Sequence, residues 1–409
     1  MLQTMPQSIG DKFRTAALWT VVLMGFSLPI STAFDSVLLA LLLACWAASG
    51  DYRGKWSAVR RNAFAVAAAA FFMLHVAGSV YSGGTGSDVA HALGKAATLL
   101  MVPIVISLRP GVEWLHRTLA ALLIALGVTL VLSYPLWLGW LPEGGILKGH
   151  LFDPVVFKKK ITQSVLLAYG AFALVLAAHR SNDAKWRMSL WLFAGLAAFN
   201  VLFMIWGRTG QLVLASLALY FMVVAYGRRG LAIVLAASLG IGAIAYLTPS
   251  SSLHVRVQAT LKEYGDWRAG RVDRVANARL EAWTNSVRIV QRHLLIGVGT
   301  GGFRAAYAEE VQGTSMPPLD QPENQYVLTT VQLGIVGLVA LLALFAVQWR
   351  VAALLRGRLE TQLARGLVIT MVVGCVFNSF LLDHTESFFY ALLSGLLIAQ
   401  FRPATQGGP

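Results

Sequence analysis

The chain is built from apolar blocks whose lengths match the thickness of a lipid bilayer. Twelve runs of 16 to 24 residues recur, at about 16–33, 35–50, 62–81, 91–108, 117–140, 163–178, 188–206, 208–226, 229–248, 325–348, 362–382 and 386–401. A helix rises about 1.5 Å per residue, so about 20 residues cross a hydrocarbon core of about 30 Å. Hydrocarbon offers the backbone no hydrogen-bond partner, and runs of this length close their own bonds only as helices. The expected fold is an all-α polytopic integral membrane protein of about twelve transmembrane helices. Residues 1–248 would carry helices 1–9, 249–323 a single external loop domain, and 324–409 helices 10–12 with a short cytoplasmic tail. With 57% hydrophobic and only 13% charged residues, the composition is that of a membrane-embedded chain.

Charge placement orients these helices. With a cytoplasmic N-terminus, the inside segments hold 18 of the 33 basic residues, among them Lys12, Arg14, Arg60, Arg61, Arg109, Arg228 and Arg229. The short outside turns 82–90 and 383–385 hold none. This is the positive-inside pattern, so the net charge of +14 is a topology signal rather than a nucleic-acid surface. The first block follows Lys12 and Arg14 as a signal peptide would, but no small-residue cleavage site ends it, and it is expected to remain as an anchor. Cys45 and Cys375 both fall inside blocks, which argues against a disulfide. The eight histidines show no ligand spacing on one helix face, so neither a metal nor another cofactor is expected.

Arg208 stands between two of the blocks, flanked by Gly207, Thr209 and Gly210. At a bilayer centre an arginine costs about 2.5–3.5 kcal/mol, so one at the ends of two spans either reaches the interface or faces an aqueous cavity and an anion. Two basic stretches also fall outside. One is 141–162 with Lys148, Lys158, Lys159 and Lys160, whose lysines suit anionic headgroups or a phosphate-bearing ligand. The other is 249–323, with nine basic and eight acidic residues.

Within that long segment, Leu280, Trp283, Val287 and Val290 recur at helical spacing, so 275–292 is expected to form an amphipathic helix. Arg279 lies beside the apolar stripe and Arg288 well around toward the other face. GVGTGG at 297–302 satisfies G-x-G-x-x-G, but it lacks the strand before and helix after that a dinucleotide site needs. It is expected to make a tight turn. PPLDQP at 317–322 forces an extended approach to Glu323, Asn324 and Tyr326 at the mouth of the next span. Glu323 and Tyr326 would share a helix face if the helix has begun there. An acid in that place could equally be a helix cap.

R-T-G-Q-L (208–212), R-L-E-A-W (279–283), H-L-L-I-G-V-G-T-G-G-F (293–303) and E-N-Q-Y-V-L-T-T-V-Q-L-G-I-V-G (323–337) resemble the O-antigen ligase and polymerase superfamily over about residues 160–400. Arg208 and Leu212 match the family's R-x3-L element. Asn324, Gly334 and Gly337 match its H-[NSQ]-x9-G-x2-[GTY] element, with Glu323 in the histidine's place. The resemblance implies a GT-C-like transferase of the bacterial inner membrane, with both termini cytoplasmic and the site facing the periplasm. It would move a glycan from undecaprenyl pyrophosphate to a lipid A–core sugar hydroxyl by metal-independent inverting transfer in lipopolysaccharide biosynthesis, with no nucleotide. Arg208 and Arg279 would clamp the pyrophosphate with Arg288 as a third. Glu323 would act as base, and Asn324 and Tyr326 would hold a substrate. Relatives of the same chemistry are the O-antigen polymerase and the protein O-oligosaccharyltransferase. A polytopic transporter or lipid flippase fits the helix count, though no repeated half is visible.

Overall fold

The protein is described by a computed structural model that covers residues 8–401 apart from 143, 145–146, 152, 248–257, 260, 263, 267, 269–277 and 315. Among the described residues it is helical throughout, with a single isolated bridge between His150 and Asp153. In order come α1 (Ile9–Ser27), α2 (Thr32–Ala48), α3 (Tyr52–Arg60), α4 (Ala63–Ser79), α5 (Gly86–Ala96), α6 (Met101–Ser107), α7 (Val112–Trp137), α8 (Lys160–Arg180) and α9 (Ala184–Phe199). They are followed by α10 (Arg208–Leu247), α11 (Ala278–Arg292), α12 (Phe303–Glu310), α13 (Gln325–Ala353), α14 (Arg358–Phe377) and α15 (His384–Ile398).

Among the described residues every apolar block read from the sequence is helical, but seven helices are long and apolar enough to cross a membrane, or eight if the 113° bent pair α2–α3 counts as one span. The expected twelve is therefore not reached by length and composition. Two neighbouring blocks run together as α10, broken only at Gly227 (φ 58°, ψ −134°). α4 and α15 are apolar but hold 17 and 15 residues.

α15 is buried from Thr385 to Ile398, packed against α6 and α14. With α8 it forms the middle of the bundle, as expected of helices that are apolar on all sides. Both cysteines are buried and free.

A smaller core joins α11 and α12 to the start of α13 through Ala282, Ile289, Phe303, Tyr307, Val311, Leu328 and Val331. The buried face of α11 thus runs through Ala282, Asn285, Ser286 and Ile289, while Val287 is exposed. The expected stripe of Leu280, Trp283, Val287 and Val290 is rotated. Small residues at 282 and 286 let the helix approach its neighbours closely, which bulkier Trp283 and Val287 would prevent.

The glycine-rich turn closes this region, as expected. Gly297, Gly299 and Gly301 all adopt positive φ. α13 is broken at Gly334 (φ 64°, ψ −162°), and the opened backbone is filled by the turn. Ile335 N–H donates to the Leu294 carbonyl at 2.8 Å, Val298 N–H to Val331 at 2.9 Å and Gly299 N–H to Gln332 at 2.8 Å. A broken helix among apolar neighbours needs such replacement bonds.

Candidate functional site

At one end of the bundle a cavity of about 750 Å³ opens between the 148–160 segment, the start of α8, the approach to α13 and the start of α15. Five lysines line it: Lys95, Lys148, Lys158, Lys159 and Lys160. Glu323 lines it too, with Asp153, Asp383 and Glu386. The sequence places the lysines there in two ways. Gln163, on the first turn of α8, accepts from Val156 N–H at 2.7 Å and folds the loop onto the helix. Lys159 is then the N-cap residue of α8 and Lys160 its first residue.

Lys158 is buried. Its Nζ donates to Thr385 Oγ1 at 3.1 Å and lies 3.7 Å from Asp35 Oδ2, itself wholly buried on α2. Burial pushes the Lys158 ammonium below its ordinary pKa, and the carboxylates of Asp35 and Glu386 partly offset this. A buried ionisable pair in a chain of apolar helices is a candidate functional site by default.

Glu323 is half-buried and sits at φ 51°, in the left-handed region that side chains avoid. Gln321 Nε2 donates to its Oε1 at 3.3 Å. Asp383 shares the cavity. Burial first, and then the charge of Glu323, hold the Asp383 carboxyl above the usual carboxylate range, against the pull of Lys159 and Lys95.

The remaining candidates are placed as follows. Arg208 is the first residue of α10, exposed, with no hydrogen bond or ion pair to another described residue. Its neighbours pack on the cavity wall. Thr209 Oγ1 accepts from Asn378 Nδ2 at 2.9 Å, Asn378 lining the cavity, and Gly207 is so close to Ser164 and the Lys160 carbonyl that a Cβ would touch both. Its guanidinium also stands at a helix N-terminus, where the backbone dipole adds positive potential.

Arg279 is exposed on the first turn of α11 and is not among the residues lining the cavity. Arg288 is engaged elsewhere. It donates to Asn285 Oδ1 at 3.0 Å and pairs with Glu310 at 3.7 Å, a carboxylate that Arg292 also holds, so it fastens α11 to α12.

Asn324 is the N-cap of α13, accepting from Val327 N–H at 3.0 Å. Tyr326 donates to the Val372 carbonyl at 2.8 Å and so ties α13 to α14. The helix begins at Gln325, so Glu323 and Tyr326 do not share a helix face, and the cap is Asn324 rather than Glu323.

The sequence signal that was passed over is the acids inside apolar runs. Asp35, Asp383 and Glu386 lie in or beside such blocks, and they converge where the lysines do.

No protein of curated function matches the chain. Among solved structures, a chain of one described as "Structural coordination of polymerization and crosslinking by a peptidoglycan synthase complex" overlaps it with a TM-score of 0.48 at 16% identity, covering 83% of this chain and 96% of that one. Residues 192–342 match a family model described as O-antigen ligase. That segment runs from α9 through Arg208, α11 and α12 to Glu323 and the broken part of α13, and over it the chain is similar to the O-antigen ligase family.

Proposed function

We propose that the protein is an O-antigen ligase, transferring a glycan from undecaprenyl pyrophosphate to a sugar hydroxyl of lipid A–core at the periplasmic face of the bacterial inner membrane. The observation that carries this reading is one cavity holding both Glu323, at the family's histidine position, and five lysines. A diphosphate matches that charge. Lysines act as flexible point charges on phosphate, and Arg208 at the start of α10 adds a cation beside the same wall. Arg279 remains a candidate for the donor's far side, whereas the Glu310 pairing of Arg288 favours a bracing role.

In the reaction the acceptor oxygen attacks the anomeric carbon. The bond from that carbon to the pyrophosphate oxygen breaks, and the undecaprenyl pyrophosphate departs with the electron pair. The hydroxyl proton passes to the Glu323 carboxylate. Direct displacement inverts the anomeric centre. Diphosphate is already a good leaving group, so positioning and charge stabilisation supply most of the acceleration. Asn324 and Tyr326 act by fixing the start of α13, and with it Glu323.

The test is reconstitution of the purified protein with undecaprenyl-pyrophosphate glycan and lipid A–core, without nucleotide or divalent metal, scored as ladder-shifted lipopolysaccharide on a gel. A ladder is expected. A well-folded protein that makes none would be tested next as a polymerase, with a second lipid-linked repeat as acceptor, and then as a protein O-oligosaccharyltransferase.

A further inference from the structure

A second cavity, of about 560 Å³, lies against the first. Lys95, Gln321 and Asp383 line both and form the wall between them. Its far side is built from the start of α5 (Ser87, Asp88, His91) and from Phe303 and Arg304 of α12.

The two cavities differ in chemistry. The first is dominated by lysines. In the second the cations are Lys95 and Arg304, against Asp88, Asp320 and Asp383, and Arg304 is already held by two of these acids, at 3.3 Å from Asp320 and 4.0 Å from Asp88. Apart from Lys95 on the shared wall, what remains facing the space is uncharged or acidic: a serine hydroxyl, an imidazole, the amides of Gln321 and Gln332, and carboxylates. Such groups suit the hydroxyls of a sugar and repel a diphosphate. The volume falls in the range of about 300–1,000 Å³ that holds a small-molecule ligand.

We propose that this second cavity binds the acceptor sugar, and that the Lys95–Gln321–Asp383 wall is where the acceptor hydroxyl meets the donor's anomeric carbon. The inference rests on the glycan-transfer reading and adds to it a place for the second substrate. Gln321 has the central position, because it lines both cavities and donates to Glu323 Oε1. A hydroxyl arriving from the second cavity therefore reaches Glu323 and Asp383 together. Its oxygen bonds to the anomeric carbon as the carbon–oxygen bond to diphosphate breaks, and its proton leaves to the Glu323 carboxylate.

The experiment fills the second cavity from its exposed rim. Ser87→Trp is compared with wild type and with Leu192→Trp, an exposed position of α9 that lines neither cavity, by steady-state transfer, varying lipid A–core and undecaprenyl-pyrophosphate glycan separately. Expected for Ser87→Trp is an acceptor KM raised at least tenfold, with the donor KM within twofold of wild type. Leu192→Trp should match wild type in both. An unchanged acceptor KM, or a donor KM that rises as much, overturns the proposal. Should Ser87→Trp not fold, His91→Trp, also at an exposed rim position, takes its place with the same outcomes.

If wild type transfers nothing to lipid A–core, it is the ligase reading that fails. Binding of deacylated core oligosaccharide, followed by saturation-transfer NMR, then decides the cavity separately. Loss in the rim tryptophan variant supports the acceptor site and retention overturns it.

Discussion

Asn378 donates from Nδ2 to Thr209 Oγ1 at 2.9 Å, and both side chains are buried. The bond joins the turn after α14, which lines the lysine cavity, to the residue beside Arg208. It predicts that two neighbouring substitutions part company. Thr209→Val keeps the shape but strands a buried amide donor, at a cost of about 1–3 kcal/mol, and transfer should fall although Arg208 remains. Arg208→Ala removes an exposed side chain with no partner among the described residues, so stability should stay within about 0.5 kcal/mol while transfer is lost. Thermal melting in detergent and the gel assay read the two effects. Full transfer by Arg208→Ala would remove the arginine from the clamp.

Glu323 holds a backbone conformation that costs a non-glycine residue about 1–2 kcal/mol, and strain of this kind concentrates at functional sites. Glu323→Gly should therefore leave the protein as stable as wild type or more so, yet without transfer. Glu323→Gln should lose most activity, because it keeps the shape and cannot take a proton. Glu323→His should retain some. A fully active Glu323→Ala would sink the base assignment and leave the anion cavity standing.

The helical, membrane-crossing character of the chain could be read from block length, because burial in lipid imposes it regardless of which helices touch. The break at Gly334 could not, since it depends on backbone from elsewhere, that of Leu294–Gly299, far back along the chain. The same limit explains the site. Glu323 and Arg208 were visible as charges at block ends. Lys158 looked like one of a surface run until its partners were known, and these are Asp35 on α2 and Thr385 on α15. Asn324 and Tyr326 were visible as polar residues at a helix mouth, but whether such a group caps a helix or faces a ligand is decided by hydrogen-bond partners. For α11, counting large apolar residues misjudged the buried face because Ala282 and Ser286 pack by being small.

Gly334 tests whether the broken helix is required. A Cβ there would stand 2.1 Å from the Leu295 carbonyl oxygen, at φ 64°. Neither backbone segment can yield without losing the Leu294–Ile335 bond. Gly334→Ala should thus cost the left-handed strain of about 1–2 kcal/mol and, in addition, those bonds. Gly195→Ala, on α9 with open space around it, should be neutral or slightly stabilising. Loss of Gly334→Ala from the folded, detergent-soluble fraction, beside a normal yield of Gly195→Ala, is the expected result.

Asp383 gives a pH dependence with a definite sign. Burial and the Glu323 carboxylate hold its pKa above the ordinary value, so the folded protein favours the protonated form. A carboxyl of this kind contributes stability that is fully present below its unfolded value of about 3.9 and is lost as pH rises through the higher folded value. Asparagine mimics the protonated acid at every pH. Asp383→Asn should therefore gain in melting temperature relative to wild type as pH climbs through that window, with the gap levelling off above it. Glu323→Gln removes the neighbouring negative charge, so in that background the Asp383 titration should move down in pH and the gap should narrow. Parallel melting profiles for wild type and Asp383→Asn across the window would show that Asp383 carries no such shift. A gap unchanged by Glu323→Gln would show that burial alone sets it.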